Sequence, residues 1–291
     1  MRQLYTFLII IGFAQFAAAQ QYPLFTNFIT NKYGFNPAIN MDTAGVCANL
    51  VFRKQWTGID LAPQTMIAGV RGRVKPFPIG AGGYFFTDQA GVLKRTGAYG
   101  MFNFVQTLSK DTRISVGASV GFYTFRLDDS YKPPTDDFDQ LVPSALDGKQ
   151  FADFNAGIYL EHKGLYAGFS VPQVLERQFD FTDLAEKSIL LRHYYIMAGY
   201  RHKLNDKIWV EPTVLVKYFE TAPLQVDGGM KITFDKFWIG GTYRKDDAMT
   251  AMAGVNWDNF GLGYAFDVTT SKLRTVSTGT HEISLEMCLG K

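Results

Sequence analysis

The feature that most constrains this chain is its alternation. In VNWDNFGLGYAFDVTT (Val255 to Thr270), Phe260, Leu262, Tyr264, Phe266 and Val268 are apolar, and Gly261, Gly263, Ala265, Asp267 and Thr269 between them are small or polar. A period of two is the mark of a strand with one apolar face. Ile114, Val116, Ala118, Val120 and Phe122 alternate in the same way with Arg113, Ser115, Gly117, Ser119 and Gly121. So do Leu224, Val226, Gly228, Met230, Ile232 and Phe234 with Gln225, Asp227, Gly229, Lys231 and Thr233. In Phe237 to Arg244 the apolar set is Phe237, Ile239, Gly241 and Tyr243. About 14 such runs, each about 9 to 15 residues long, lie between turn residues. That length crosses a bilayer when tilted and exceeds the usual soluble strand.

The connections alternate as well. With the first strand taken as Gly45 to Trp56, tight links fall at Lys75–Pro78, Ser109–Asp111, Lys163-Gly164, Asn205-Asp206, Asp235-Lys236 and Asp258-Asn259. The intervening links carry the long insertions Leu127–Gln150, Val174–Leu190 and Ser271–Gly279. Short turns at one end and long loops at the other are expected of an outer-membrane barrel and not of a soluble sandwich. The fold expected is therefore all-β: a transmembrane outer-membrane β-barrel of about 14 antiparallel strands. Its apolar positions meet lipid, and Trp257 and Phe260 sit at headgroup level.

Three segments divide the chain. Residues 1–19 combine a basic start (Met1-Arg2-Gln3), an apolar run from Leu4 to Phe16 and Ala17-Ala18-Ala19, as a Sec-type signal peptide does. The run is too short for a spanning helix, which needs about 20 apolar residues. Residues 20–44 have no alternation of their own, and Phe25, Phe28, Phe35 and Asn36-Pro37 are too apolar and rigid for a free tail, so they are expected to plug the periplasmic end. Residues 45–291 form the barrel. The charge balance of 29 Lys+Arg against 27 Asp+Glu carries no nucleic-acid footprint.

Several phrases resemble one family. FNPAINMDTAG (Phe35 to Gly45), FRKQWTGIDLAPQT (Phe52 to Thr65), LRHYYIMAGYRHKL (Leu191 to Leu204), EPTVLVKYFETAPLQVD (Glu211 to Asp227), KFWIGGTYR (Lys236 to Arg244) and DVTTSKLRTVSTGTHEISL (Asp267 to Leu285) are similar in content and order to the PorP/SprF family of type IX secretion system membrane proteins. Two places depart from its pattern: Ile39-Asn40-Met41 follows Asn36-Pro37-Ala38, and the chain ends Cys288-Leu289-Gly290-Lys291 instead of on an aromatic. The resemblance implies an outer-membrane barrel of Bacteroidota-type bacteria. Its implied role is protein export, surface attachment or gliding motility, with other secretion components and a secreted surface protein or adhesin as partners.

Enzymatic chemistry has no support in the residues. His162, His193, His202 and His281 are scattered without metal spacing, and there is no nucleophile elbow or phosphate loop. His193 reads as lumen lining. Asp128, Asp129, Asp136, Asp137 and Asp139 lack calcium-loop spacing and read as a solvated outer loop. No cofactor or metal is expected.

The lumen carries the candidate residues. Alternation points Arg53, Gln55, Arg113, Arg201, Glu211, Lys217, Asp227, Lys231, Arg244, Asp267, Glu282 and Glu286 inward, as a mixed-charge network that braces the barrel. Closure of the barrel sets the first strand beside the last, so Cys47 and Cys288 share the inner face near one end. They are either bridged in an oxidising compartment or left as two lumenal thiols, since barrel shear decides their offset. The alternative function is a transporter of hydrophobic small molecules, which requires an apolar lumen and is disfavoured by the inward charges.

Overall fold

The computed structural model describes residues 28–39, 45–128, 148–179, 188–220 and 222–290. The expected signal peptide (1–19), residues 20–27 and 40–44 of the N-terminal segment, and most of the acidic loop after Asp128 lie outside them.

One antiparallel sheet of fourteen strands closes on itself. In chain order the strands are β1 (Val46–Lys54), β2 (Gln64–Val74), β3 (Ile79–Ala90), β4 (Leu93–Ser109), β5 (Thr112–Leu127), β6 (Lys149–His162) and β7 (Leu165–Val171). They continue as β8 (Tyr194–Tyr200, extended by His202–Lys203), β9 (Ile208–Tyr218), β10 (Gln225–Phe234), β11 (Phe237–Arg244), β12 (Ala248–Trp257), β13 (Phe260–Thr269) and β14 (Thr280–Leu289). Closure comes from β1 pairing with β14, from Val46 opposite Leu289 to Lys54 opposite His281. A closed sheet leaves no edge of unpaired amides, which hydrocarbon does not tolerate.

Burial follows the alternation, with the apolar face outward. In β1, Val46, Leu50 and Phe52 are exposed and Cys47, Asn49, Val51 and Arg53 are buried. In β13, Phe260, Leu262, Tyr264 and Val268 are exposed and Ala265, Asp267 and Thr269 are buried. A soluble sheet would do the reverse; this one meets lipid with its large apolar side chains and keeps its charges inside. Trp257 and Phe260 are both exposed on the outer surface.

The six tight links expected from the sequence gather at one end, the short-turn end, where β1 also starts and β14 stops; two more tight links, at 91–92 and 245–247, lie at the opposite end. At Lys163-Gly164 both central residues have positive φ, 48° and 86°, the type I′ hairpin that matches strand twist. Strand β5 ends and β6 begins at the opposite, long-loop end, as do β7 and β8, and between the latter two lies a small ribbon of Arg177–Phe179 against Ser188–Leu190. The first strand is shorter than the expected Gly45 to Trp56, because Trp56 adopts φ 44° and turns the chain out of the ladder. In β9, Pro212 has no N–H to offer. The β8 strand breaks beside it, at Arg201, whose amide donates to the Gly164 carbonyl at 2.8 Å on the β7 side.

Candidate functional site: the filled lumen

Residues 28–39 pack against the inner wall of the barrel. A short 3-10 turn at Lys32–Gly34 bends them, and Phe28, Ile29, Phe35 and Ala38 are buried. Their backbone is held by wall side chains: the Ser115 hydroxyl and the Asn103 amide both donate to the Ala38 carbonyl, and the Ser170 hydroxyl donates to the Phe35 carbonyl. Asn36 donates through Nδ2 to the Ile158 and Phe169 carbonyls at 3.0 and 3.3 Å and accepts from the Ala38 amide at 2.8 Å. The wall makes room with glycine. A β-carbon at Gly117 would collide with the Pro37 carbonyl, and one at Gly157 with the Asn36 side chain.

The two halves of the lumen differ. From β3 to β8 the inward side chains are aromatic: Tyr84 stacks on Tyr99 with centroids 5.0 Å apart, Tyr123 lies 5.6 Å from Phe151, and Tyr159 lies 6.0 Å from Tyr166. Phe35 of the internal segment joins this wall at Tyr195, centroids 6.0 Å apart. From β9 round to β1 the inward side chains carry most of the ion pairs.

The ionic residues fall into clusters that place all eleven expected charges. Toward the long-loop end, the Lys217 ammonium lies 2.7 Å from Asp227, and Arg244 bridges Asp227 at 3.3 Å and Asp247 at 3.0 Å. Arg53 there lies 3.4 Å from Asp267 and 3.5 Å from Glu282. Toward the short-turn end, Glu211 receives Lys32, Lys231 at 3.5 Å and Arg201 at 3.7 Å. Arg71 pairs with Glu286 at 2.5 Å, and Arg113 with Glu161 at 2.7 Å. The partners Lys32, Arg71, Glu161 and Asp247 are new to the network. Alternation along β2 and β6 reaches Arg71 and Glu161, but Lys32 and Asp247 lie off the strands and no periodicity marks them.

Cys47 and Cys288 stand opposite each other in the β1–β14 ladder and are bonded, with Cα atoms 4.0 Å apart. His193, just before β8, is buried with Nδ1 2.9 Å from the Leu191 carbonyl and its ring centroid 4.7 Å from that of Phe219. Burial pushes its pKa down to about 4. Among the described residues the one group of three potential metal ligands is Cys47, Glu286 and Cys288, and both of its cysteines are in the disulfide.

Residues 17–287 match the family described as type IX secretion system membrane protein PorP/SprF. No curated protein matches the chain. Among solved structures the chain is similar to the CymD monoaromatic hydrocarbon channel, with TM-score 0.55, 11% identity, and 85% of this chain and 89% of that one covered. It is also similar to the P. putida toluene transporter TodX, with TM-score 0.53, 8% identity, and 88% and 93% covered. A Pseudomonas aeruginosa FadL homologue gives TM-score 0.51, 8% identity, and 87% and 92% covered. At these identities the likeness is one of fold, that of outer-membrane barrel channels.

Proposed function

The chain belongs to the PorP/SprF family of type IX secretion system membrane proteins, and from that premise we propose that it serves as an outer-membrane platform for secreted proteins. It supports their export, surface attachment or gliding-related display, and works with other components of the secretion system. The observation that carries the reading is the occupied lumen. A barrel with residues 28–39 packed on its inner wall and several clusters of ion pairs inside is suited to holding partners at its two ends rather than to passing solutes. In this reading the long-loop end faces outward and offers residues 128–148 and 172–193 to a secreted adhesin. The N-terminal segment acts as a plug, and residues 1–19 are removed on export by a Sec-type route.

The aromatic wall favours a second reading, transport of hydrophobic small molecules. It has the lining such cargo needs, and two structural neighbours are a monoaromatic hydrocarbon channel and a toluene transporter. Affinity purification from intact outer membrane separates the two. Co-purifying secretion components or a large adhesin supports the platform, and bound lipid with no protein partner supports the transporter. Deletion of the gene is expected to deplete secreted proteins from the cell surface; an unchanged surface proteome would refute the platform role.

A further inference from the structure

A cavity of about 300 Å³ lies inside the short-turn end, between the internal segment and the β1, β2, β10, β13 and β14 walls. Its lining is unbalanced in charge. Lys32, Arg71, Arg201 and Lys231 contribute four cations, and Glu286 is the one carboxylate among the lining residues. Three of those cations converge on Glu211, and Arg71 takes Glu286. Four positive groups therefore share two negative ones around this half-open cavity, where the excess positive charge favours an incoming anion.

The amides in the lining supply an independent observation. Asn31 and Asn49 are 5% and 8% exposed, and neither the oxygen nor the nitrogen of either side chain has a hydrogen-bond partner. The Arg71 Nη1 group is also without one, while its guanidinium is held 4.2 Å over the Tyr33 ring. Buried polar groups in folded proteins are nearly always paired, so several unpaired ones around a single cavity point to something that binds there. An amide with both ends open is matched by a peptide group, and a guanidinium by a carboxylate.

We propose that this cavity is a recognition site for a short, extended acidic peptide segment presented by a periplasmic partner. Its volume is at the lower end of the roughly 300–1,000 Å³ of ligand pockets, enough for a peptide segment and too small for a folded domain. The proposal rests on the reading of this barrel as a platform whose short turns face the periplasm. Binding in vitro needs no export activity, so the site and the export role fail separately.

The test uses the full chain in neutral-lipid nanodiscs and two fluorescein-labelled hexapeptides, one of glutamate and one of glutamine, followed by anisotropy at low salt. Saturable binding of the glutamate peptide is expected, weaker by at least about tenfold for the glutamine peptide and for the Asn49→Leu and Lys231→Gln variants. Equal binding of the two peptides, or unchanged binding by folded variants, overturns the proposal. So does displacement of the bound peptide by inorganic phosphate as effectively as by unlabelled glutamate peptide, which would mark a site for small anions. Should Asn49→Leu fail to fold, Lys231→Gln and Arg201→Gln decide, since both side chains are partly open to solvent.

Discussion

Lys32 and Glu211, 179 positions apart in the chain, form an ion pair in the lumen, with the lysine ammonium also 3.9 Å from the centroid of the Tyr166 ring. One partner belongs to the internal segment and the other to β9, so this contact ties the segment to the wall. Lys32→Gln is expected to loosen residues 28–39 while Lys231 and Arg201 keep Glu211 paired. The cost is about 1.5–3 kcal/mol, that of a hydrogen bond to a charged group. Faster protease cleavage of the segment in purified barrel, with the barrel itself intact, checks it.

Gly117 and Gly228 offer a matched pair of substitutions. A β-carbon at Gly117 meets the Pro37 backbone, whereas one at Gly228 meets nothing within 4 Å. Gly117→Ala is expected to destabilise the segment's seat by about 1–3 kcal/mol, as overpacking does, and Gly228→Ala to stay within about 0.5 kcal/mol of wild type. Denaturant unfolding of both proteins, read with limited proteolysis of residues 28–39, distinguishes them.

Alkylation followed by mass spectrometry of the unreduced protein is expected to find Cys47 and Cys288 unmodified. The double variant Cys47→Ser, Cys288→Ser should still close through the β1–β14 ladder and lose about 2–5 kcal/mol, visible as a lower temperature for loss of the folded band on unheated gels. Two alkylated cysteines in native protein would mean backbone pairing alone holds the seam.

Stability should depend on pH through His193. Its folded pKa, about 4, lies below the ordinary 6.5, so the folded barrel prefers the neutral ring. That contribution is complete above about pH 6.5 and is lost as pH falls toward about 4. His193→Phe is expected to flatten the stability profile in that window, measured by denaturant midpoints across pH.

An epitope tag at Pro134, outside the described residues, is expected to be labelled on intact cells. Labelling only after lysis would invert the orientation of the barrel.

Much of this architecture is legible in the sequence because a membrane barrel writes its two solvents on alternate residues. Phe260 through Val268 announces its outer face without any knowledge of neighbours, and the tight links at Lys163-Gly164 and Asp258-Asn259 locate one end. Pair identities are less legible, since Arg53 finds Asp267 and Glu282 only once the closing register is known. The aromatic wall is hidden for another reason. Tyr99 and Tyr123 point inward beside Phe102 and Phe122, which point outward, so alternation loses contrast around these tyrosines although the rest of β5 keeps it.

The bond between Cys47 and Cys288 makes residues 47–288 a covalent loop. Its two sulfurs come from strands that meet only when the last one docks against the first, so the bond records that assembly is complete. An oxidised molecule is a finished cylinder, and a reduced one can be a chain still waiting for its final strand. Nothing that passes this protein can do so by parting β1 from β14 while the bond is intact; any traffic must travel along the bore, slip through another seam, or go around the outside.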